Sequence, residues 1–126
     1  MERPFTFTGR VRSFACALRG IAIVFASQHN AWIHTAATVV VCLAGFWFRF
    51  TGQEWCWMVV AIVMVWTAEA LNTAFEFLAD AASPDYHPLV GKAKDVAAGA
   101  VLIAAIGAVV IGLLVIGPHL MELFEH

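Results

Sequence analysis

A chain of 126 residues that is 62% hydrophobic and 13% charged is far more apolar than a soluble domain, whose apolar share is about 45–50%. Its formal charge of −2 balances seven Lys and Arg against nine Asp and Glu, and the cations form no basic run, so no nucleic-acid partner is expected. These features exclude an ordinary soluble enzyme and point to one small all-α integral membrane protein, a single domain over residues 1–126.

Cys16, Cys42 and Cys56 lack metal-ligand spacing, so neither a disulfide framework nor a zinc site is indicated, and they read as small apolar packing residues. The apolar run at 21–26 is too short for a leader peptide and no small-residue cleavage site follows, so no cleavable leader is expected.

Residues 1–9, with Pro4, read as a flexible or interfacial arm. Over 10–27, Val11, Phe14, Ala15, Leu18, Ile21, Ala22 and Phe25 recur at helical spacing while Arg12 and Arg19 share the other side, which predicts an amphipathic helix lying on the membrane. Gln28, His29 and Asn30 make a polar break. Residues 31–50 then supply a first spanning helix, with Arg49 placed to snorkel at its far end. Thr51, Gly52, Gln53 and Glu54 form a short turn flanked by Trp47, Trp55 and Trp57, as an interfacial aromatic belt would be. Such a turn makes the flanking helices antiparallel neighbours.

The second span is expected over 55–82. It is ~40 Å long at 1.5 Å per residue against a hydrocarbon core of ~30 Å, so part of it must tilt or project. Within it Glu69, Asn72, Glu76 and Asp80 are spaced three, four and four residues apart, which sets three carboxylates and an amide on one helix face. Each charge at membrane depth costs ~2.5 to 3.5 kcal/mol on insertion scales, so an acidic stripe there marks function by default. It leads from water at Asp80 into lipid at Glu69.

Pro84, Pro88 and Gly91 end that helix and delay the next through a polar loop at 83–91. A third span is expected over 92–116, opening with Lys92, Lys94 and Asp95 and closing at Gly117 and Pro118. Ala100, Ala104, Ala108 and Gly112 repeat at four-residue spacing, which serves either close helix association or an ordinary alanine-rich helix. Arg3, Arg10, Arg12, Arg19, Lys92 and Lys94 fall at one end of a three-span arrangement and Arg49 at the other, so the N-terminus and the 83–91 loop are expected in the cytoplasm and the C-terminus outside. Gln28, Glu76, Asp80, the loop, Lys94 and Asp95 then converge at the cytoplasmic mouth, where ATP would be met.

Phosphoryl transfer needs metal to neutralise the polyphosphate, a cation on the phosphates and a carboxylate for the proton of the attacking hydroxyl. Glu76, Lys94 and Glu69 are candidates for those roles in that order, with a lipid alcohol at the headgroup boundary as acceptor. Neither a Walker A motif nor a kinase glycine loop is present. The alternative is a small oligomeric proton or cation pathway along the Glu69 and Glu76 stripe, but 55–66 is almost wholly apolar and such a path would stop halfway. A purely structural membrane subunit leaves the stripe and Lys94 without a purpose. His34 reads as an interhelical hydrogen-bonding residue, and His119 and His126 as solvent or interface residues.

EALNTAFEFLAD at 69–80, followed by SPDYHPLVGKAKDVAAGAV at 83–101, resembles the signature region of the small prokaryotic diacylglycerol kinases and their undecaprenol kinase relatives. SFACALRG at 13–20 and QHNAWIH at 28–34 extend the resemblance over nearly the whole chain. It implies a homotrimer of three-span subunits with N-terminal surface helices in the bacterial inner membrane. It further implies active sites shared between subunits and transfer of the γ-phosphate of MgATP to a lipid hydroxyl, of diacylglycerol or undecaprenol.

By the same resemblance Glu69 is the catalytic base, Asn72 supports the site and Glu76 is a magnesium ligand. Asp85, Tyr86, His87, Lys94 and Asp95 contact the nucleotide and Asp80 stands close to it. Gln28 occupies the place where the family commonly carries a second metal-binding glutamate, which removes a negative charge and should weaken metal affinity. Gln28 is therefore a metal ligand through its amide oxygen or a nucleotide contact through water, and Arg10 or Arg12 is nominated for phosphate contact.

Overall fold

The computed structural model describes residues 4–27 and 29–126, with His29 described by its backbone only. Four helices carry the chain: α1 (Phe7–Ser27), α2 (His29–Trp47), α3 (Gly52–Ala82) and α4 (Pro88–Phe124). No strand occurs among the described residues. As expected from the apolar runs, three of them, α2, α3 and α4, are long and apolar enough to cross a membrane.

The helix ends differ from those read off hydropathy because caps set them. The α2 helix stops at Trp47, short of residue 50, where Arg49 takes a left-handed conformation with φ 55° and the Phe50 N–H turns back to the Gly45 carbonyl at 2.9 Å. Gly45 is needed there: a Cβ would lie 2.6 Å from Trp55 Cζ2 and 3.0 Å from Phe50 Cδ2. The α3 helix starts before residue 55 because Thr51 forms a reciprocal capping box with Glu54, at 3.2 and 3.1 Å. His87 caps α4, its Nδ1 accepting from the Leu89 N–H at 3.2 Å, and Pro88 at the first position needs no N–H partner.

The closure expected at Gly117 and Pro118 does not occur, since α4 continues through Pro118 to Phe124. Proline removes one helical hydrogen bond, a loss tolerated where neighbouring elements hold the backbone. Here His119 supplies the hold. Its Nε2 lies 2.6 Å from Glu54 Oε2, and its ring stacks on Phe48 and Phe50 at 5.4 Å each.

α3 runs along α4, while α1 and α2 pack on α3. Buried Phe50, Met58 and Val115, with Val41, Trp55 and Ile111 against them, form a small core at the α2–α3 turn end. Most other large apolar side chains face outward, including Trp32, Trp47, Ile103, Leu113 and Leu114. That surface suits lipid or another protein copy, not water. Of the small-residue repeat, Ala104 is buried within the chain and Ala108 and Gly112 are half-buried. On α1, Phe25 packs on Trp66 of α3 with ring centroids 4.6 Å apart, while Phe14, Leu18 and Ile21 remain exposed.

Candidate active site

Burial along the α3 stripe is graded. Glu69 is 0% exposed, Asn72 is buried, Glu76 half-buried and Asp80 exposed. At 1.5 Å per residue the stripe spans ~16 Å. Buried Thr73 donates its hydroxyl to the Glu69 carbonyl at 2.9 Å, which satisfies that polar group without leaving the helix.

Glu69 is held from α2. His34 Nε2 lies 3.2 Å from Glu69 Oε2, so the interhelical hydrogen bond expected of His34 forms on the deepest acid of the stripe. The other oxygen, Oε1, is buried without a hydrogen-bond partner among the described residues, and so is Oδ1 of Asn72. An unsatisfied buried polar atom costs ~1–3 kcal/mol, so two neighbouring ones call for a functional explanation.

Trp66 of α3 braces the same stretch of α2. Trp66 Nε1 donates to Thr38 Oγ1 at 3.1 Å, and the Thr38 hydroxyl donates to the His34 carbonyl at 2.7 Å. The indole also meets the imidazole edge-on, with centroids 5.9 Å apart. Of the openings that border this cluster, two take in Asn72. One, of about 260 Å³, is lined by Asn30, His34 and Asn72 with Ala98, Val101 and Leu102 of α4. The other is an apolar cleft of about 810 Å³ between α3 and α4, into which Thr67 and Asn72 bring the polar side chains.

At the open end of the stripe Lys94 of α4 reaches Asp80, Nζ to Oδ1, at 2.5 Å, and Glu76 adds to the negative field on that ammonium. These three candidates are brought together by the α3–α4 packing. His87 stands at the start of α4 with Nδ1 committed to its cap. Asp85, Tyr86 and Asp95 are exposed, and the Tyr86 ring lies over Gly91. Gln28 lies outside the described residues. Arg10 sits over the Phe5 ring at 5.0 Å, and Arg12 is exposed. Among the described residues, no three of His, Cys, Asp and Glu converge to form a metal centre by themselves.

Two relationships escaped the linear reading: His34 with Glu69, and His119 with Glu54 at the opposite end of the bundle. Each joins different helices, and a helical period says which residues share a face but not what that face meets.

Three helices long and apolar enough to cross a membrane, with a buried acid and amide on one of them, define a membrane protein. The profile of the prokaryotic diacylglycerol kinase family matches residues 15–116. The chain is 38% identical over 109 residues to an undecaprenol kinase of Bacillus subtilis (strain 168), covering 86% of this chain and 89% of that protein. It is equally 38% identical over 112 residues to a diacylglycerol kinase of Synechocystis sp., covering 88% of this chain and 64% of that protein. A diacylglycerol kinase of Escherichia coli (strain K12) is 34% identical over 96 residues, covering 71% and 79% respectively. The chain belongs to the prokaryotic diacylglycerol kinase family and is a lipid kinase.

Proposed function

We propose that this kinase transfers the γ-phosphate of MgATP to the hydroxyl of a membrane lipid, converting diacylglycerol to phosphatidic acid or undecaprenol to undecaprenyl phosphate. The observation that carries the reading is Glu69, fully buried yet with Oε1 free of any hydrogen-bond partner. A carboxylate oxygen so placed takes the hydroxyl proton as general base. Asn72, one turn nearer the mouth with its own free Oδ1, orients the same hydroxyl or the phosphate it attacks.

The donor set fits magnesium bound together with a nucleotide. Glu76 supplies one carboxylate, Asn72 Oδ1 is an uncommitted hard oxygen on the same face, and magnesium is commonly held by one or two carboxylates plus substrate phosphates. Gln28 is assigned as the weaker, neutral partner of Glu76. When bound, the metal neutralises the phosphate oxygens. Lys94 holds the phosphates, Asp80 holds Lys94 between turnovers, and Asp85, Tyr86, His87 and Asp95 line the nucleotide's approach.

The assembly is assigned as a homotrimer with shared sites in the bacterial inner membrane, α1 lying on the cytoplasmic face and the Lys94 rim facing the cytoplasm. The outward apolar side chains and the exposed Phe14, Leu18 and Ile21 of α1 support this arrangement. A proton or cation pathway finds no such support, because the face of α3 beyond Glu69 continues with buried Val65, Ala61 and Met58, all apolar.

The test is transfer of labelled γ-phosphate from MgATP, in lipid bicelles, to diacylglycerol and undecaprenol offered in parallel, since relatives named for both match at 38%. Glu69→Gln keeps the side-chain shape and should lower turnover at least about 100-fold while leaving the folded oligomer intact. Normal turnover in that variant removes Glu69 as the base.

A further inference from the structure

We propose that His34 is the positioning residue for the base, holding one oxygen of Glu69 so that the other alone faces the lipid hydroxyl. The inference rests on Glu69 acting as the base, as proposed above. A carboxylate has two chemically equivalent oxygens on a side chain with three rotatable bonds, so a base that must act in one direction needs one oxygen tied down. Here the tie is on Oε2, at 3.2 Å from His34 Nε2, and Oε1 is left buried and unpartnered. Against an ionised carboxylate, Nε2 must carry the hydrogen and donate it.

Trp66 of α3 packs against the imidazole and ties the same stretch of α2 to α3. Thr38 bonds the His34 carbonyl at 2.7 Å, Trp66 bonds Thr38 at 3.1 Å, and the indole edge packs on the imidazole. Among the described residues, α4 brings no polar side chain to the neighbouring opening, which it lines with Ala98, Val101, Leu102 and Ala105. On α3 the adjacent Thr73 is committed to the Glu69 carbonyl, and Asn72 makes no hydrogen bond to the carboxylate.

In the reaction the O–H bond of the lipid alcohol breaks and its proton passes to Oε1. The freed oxygen forms the new bond to the γ-phosphorus, while the bond from that phosphorus to the bridging oxygen of ADP breaks and leaves its electron pair on ADP. His34 keeps its hydrogen throughout. It acts on rate through the direction of Oε1, not through binding of either substrate.

The experiment measures kcat and KM for MgATP and for the lipid alcohol in bicelles with His34→Leu, His34→Gln, Glu69→Gln and the double variant His34→Leu/Glu69→Gln, with oligomeric state checked by size exclusion. Misplacement of a reacting group by about 1 Å costs on the order of 100-fold, so His34→Leu is expected to lower kcat by about 10- to 100-fold with both KM values within about twofold. His34→Gln can donate from a comparable reach and should recover kcat to within about fivefold of the unaltered protein. In the Glu69→Gln background His34→Leu should have no further effect, because the oxygen it directs is no longer a base.

Three results overturn the inference: kcat within about twofold in His34→Leu, a loss confined to KM, or His34→Gln as impaired as His34→Leu. Should His34→Leu fail to fold, His34→Asn, polar but too short to reach Oε2, carries the same comparison. Turnover that survives in Glu69→Gln sinks the base itself, whereas a dead Glu69→Gln beside a normal His34→Leu sinks the positioning role alone.

Discussion

Exchanging the charges of Asp80 and Lys94 separates what their ion pair does for the fold from what Lys94 does for the reaction. The two side chains are 66% and 36% exposed, so solvent screens their 2.5 Å contact and little stability rests on it. Lys94→Met and the swap Asp80→Lys/Lys94→Asp should both leave the melting transition within about 2 °C of the unaltered protein. Catalysis should respond differently. Removing one preorganised charge from a transferring phosphoryl group costs ~10²- to 10³-fold in kcat, so both variants should lose about that much turnover. Asp80→Asn leaves the cation in place and merely unties it, for a loss below about tenfold. The assay is labelled γ-phosphate transfer in bicelles beside a thermal melt of the same preparations. If the swap restores turnover to within about tenfold of the original, the pair matters as a pair, and the phosphate role of Lys94 is wrong.

Two further outcomes follow from single positions. Met58 is 2% exposed at the centre of the small core, so Met58→Ala should cost about 2–5 kcal/mol, read as an earlier midpoint in a denaturing-detergent titration, while the folded fraction keeps its turnover. A titration midpoint shifted by less than the experimental error would show that this cluster does not hold the bundle. Gln28→Glu puts a carboxylate at the position proposed as the second metal ligand and should lower the magnesium concentration needed for half-maximal turnover by at least about threefold. An unchanged magnesium curve would take Gln28 out of the metal site.

The membrane spans and the acidic stripe were legible in the chain because both are local properties. Hydropathy over about twenty residues is enough to define a span, and spacings of three and four place Glu69, Asn72, Glu76 and Asp80 on one face whatever that face meets. Motif likeness then led to the lipid kinases, and the family comparison agrees. Helix ends were less legible, since α3 and α4 begin where Thr51 and His87 satisfy free backbone N–H groups, and α4 passes Pro118. Capping and proline tolerance depend on side-chain geometry and neighbours that hydropathy does not register.

By itself, then, the sequence determined a three-span helical lipid kinase and the face on which its acids stand. Only the tertiary structure decided that Glu69 loses all contact with solvent, that His34 takes one of its oxygens, and that the other is left free. It also brought Lys94 to Asp80, and His119 to Glu54. The partners in these bonds stand 35, 14 and 65 positions apart. Helical periodicity carries information across a few turns, and which face of one helix meets which face of another is set by the packing of the whole bundle.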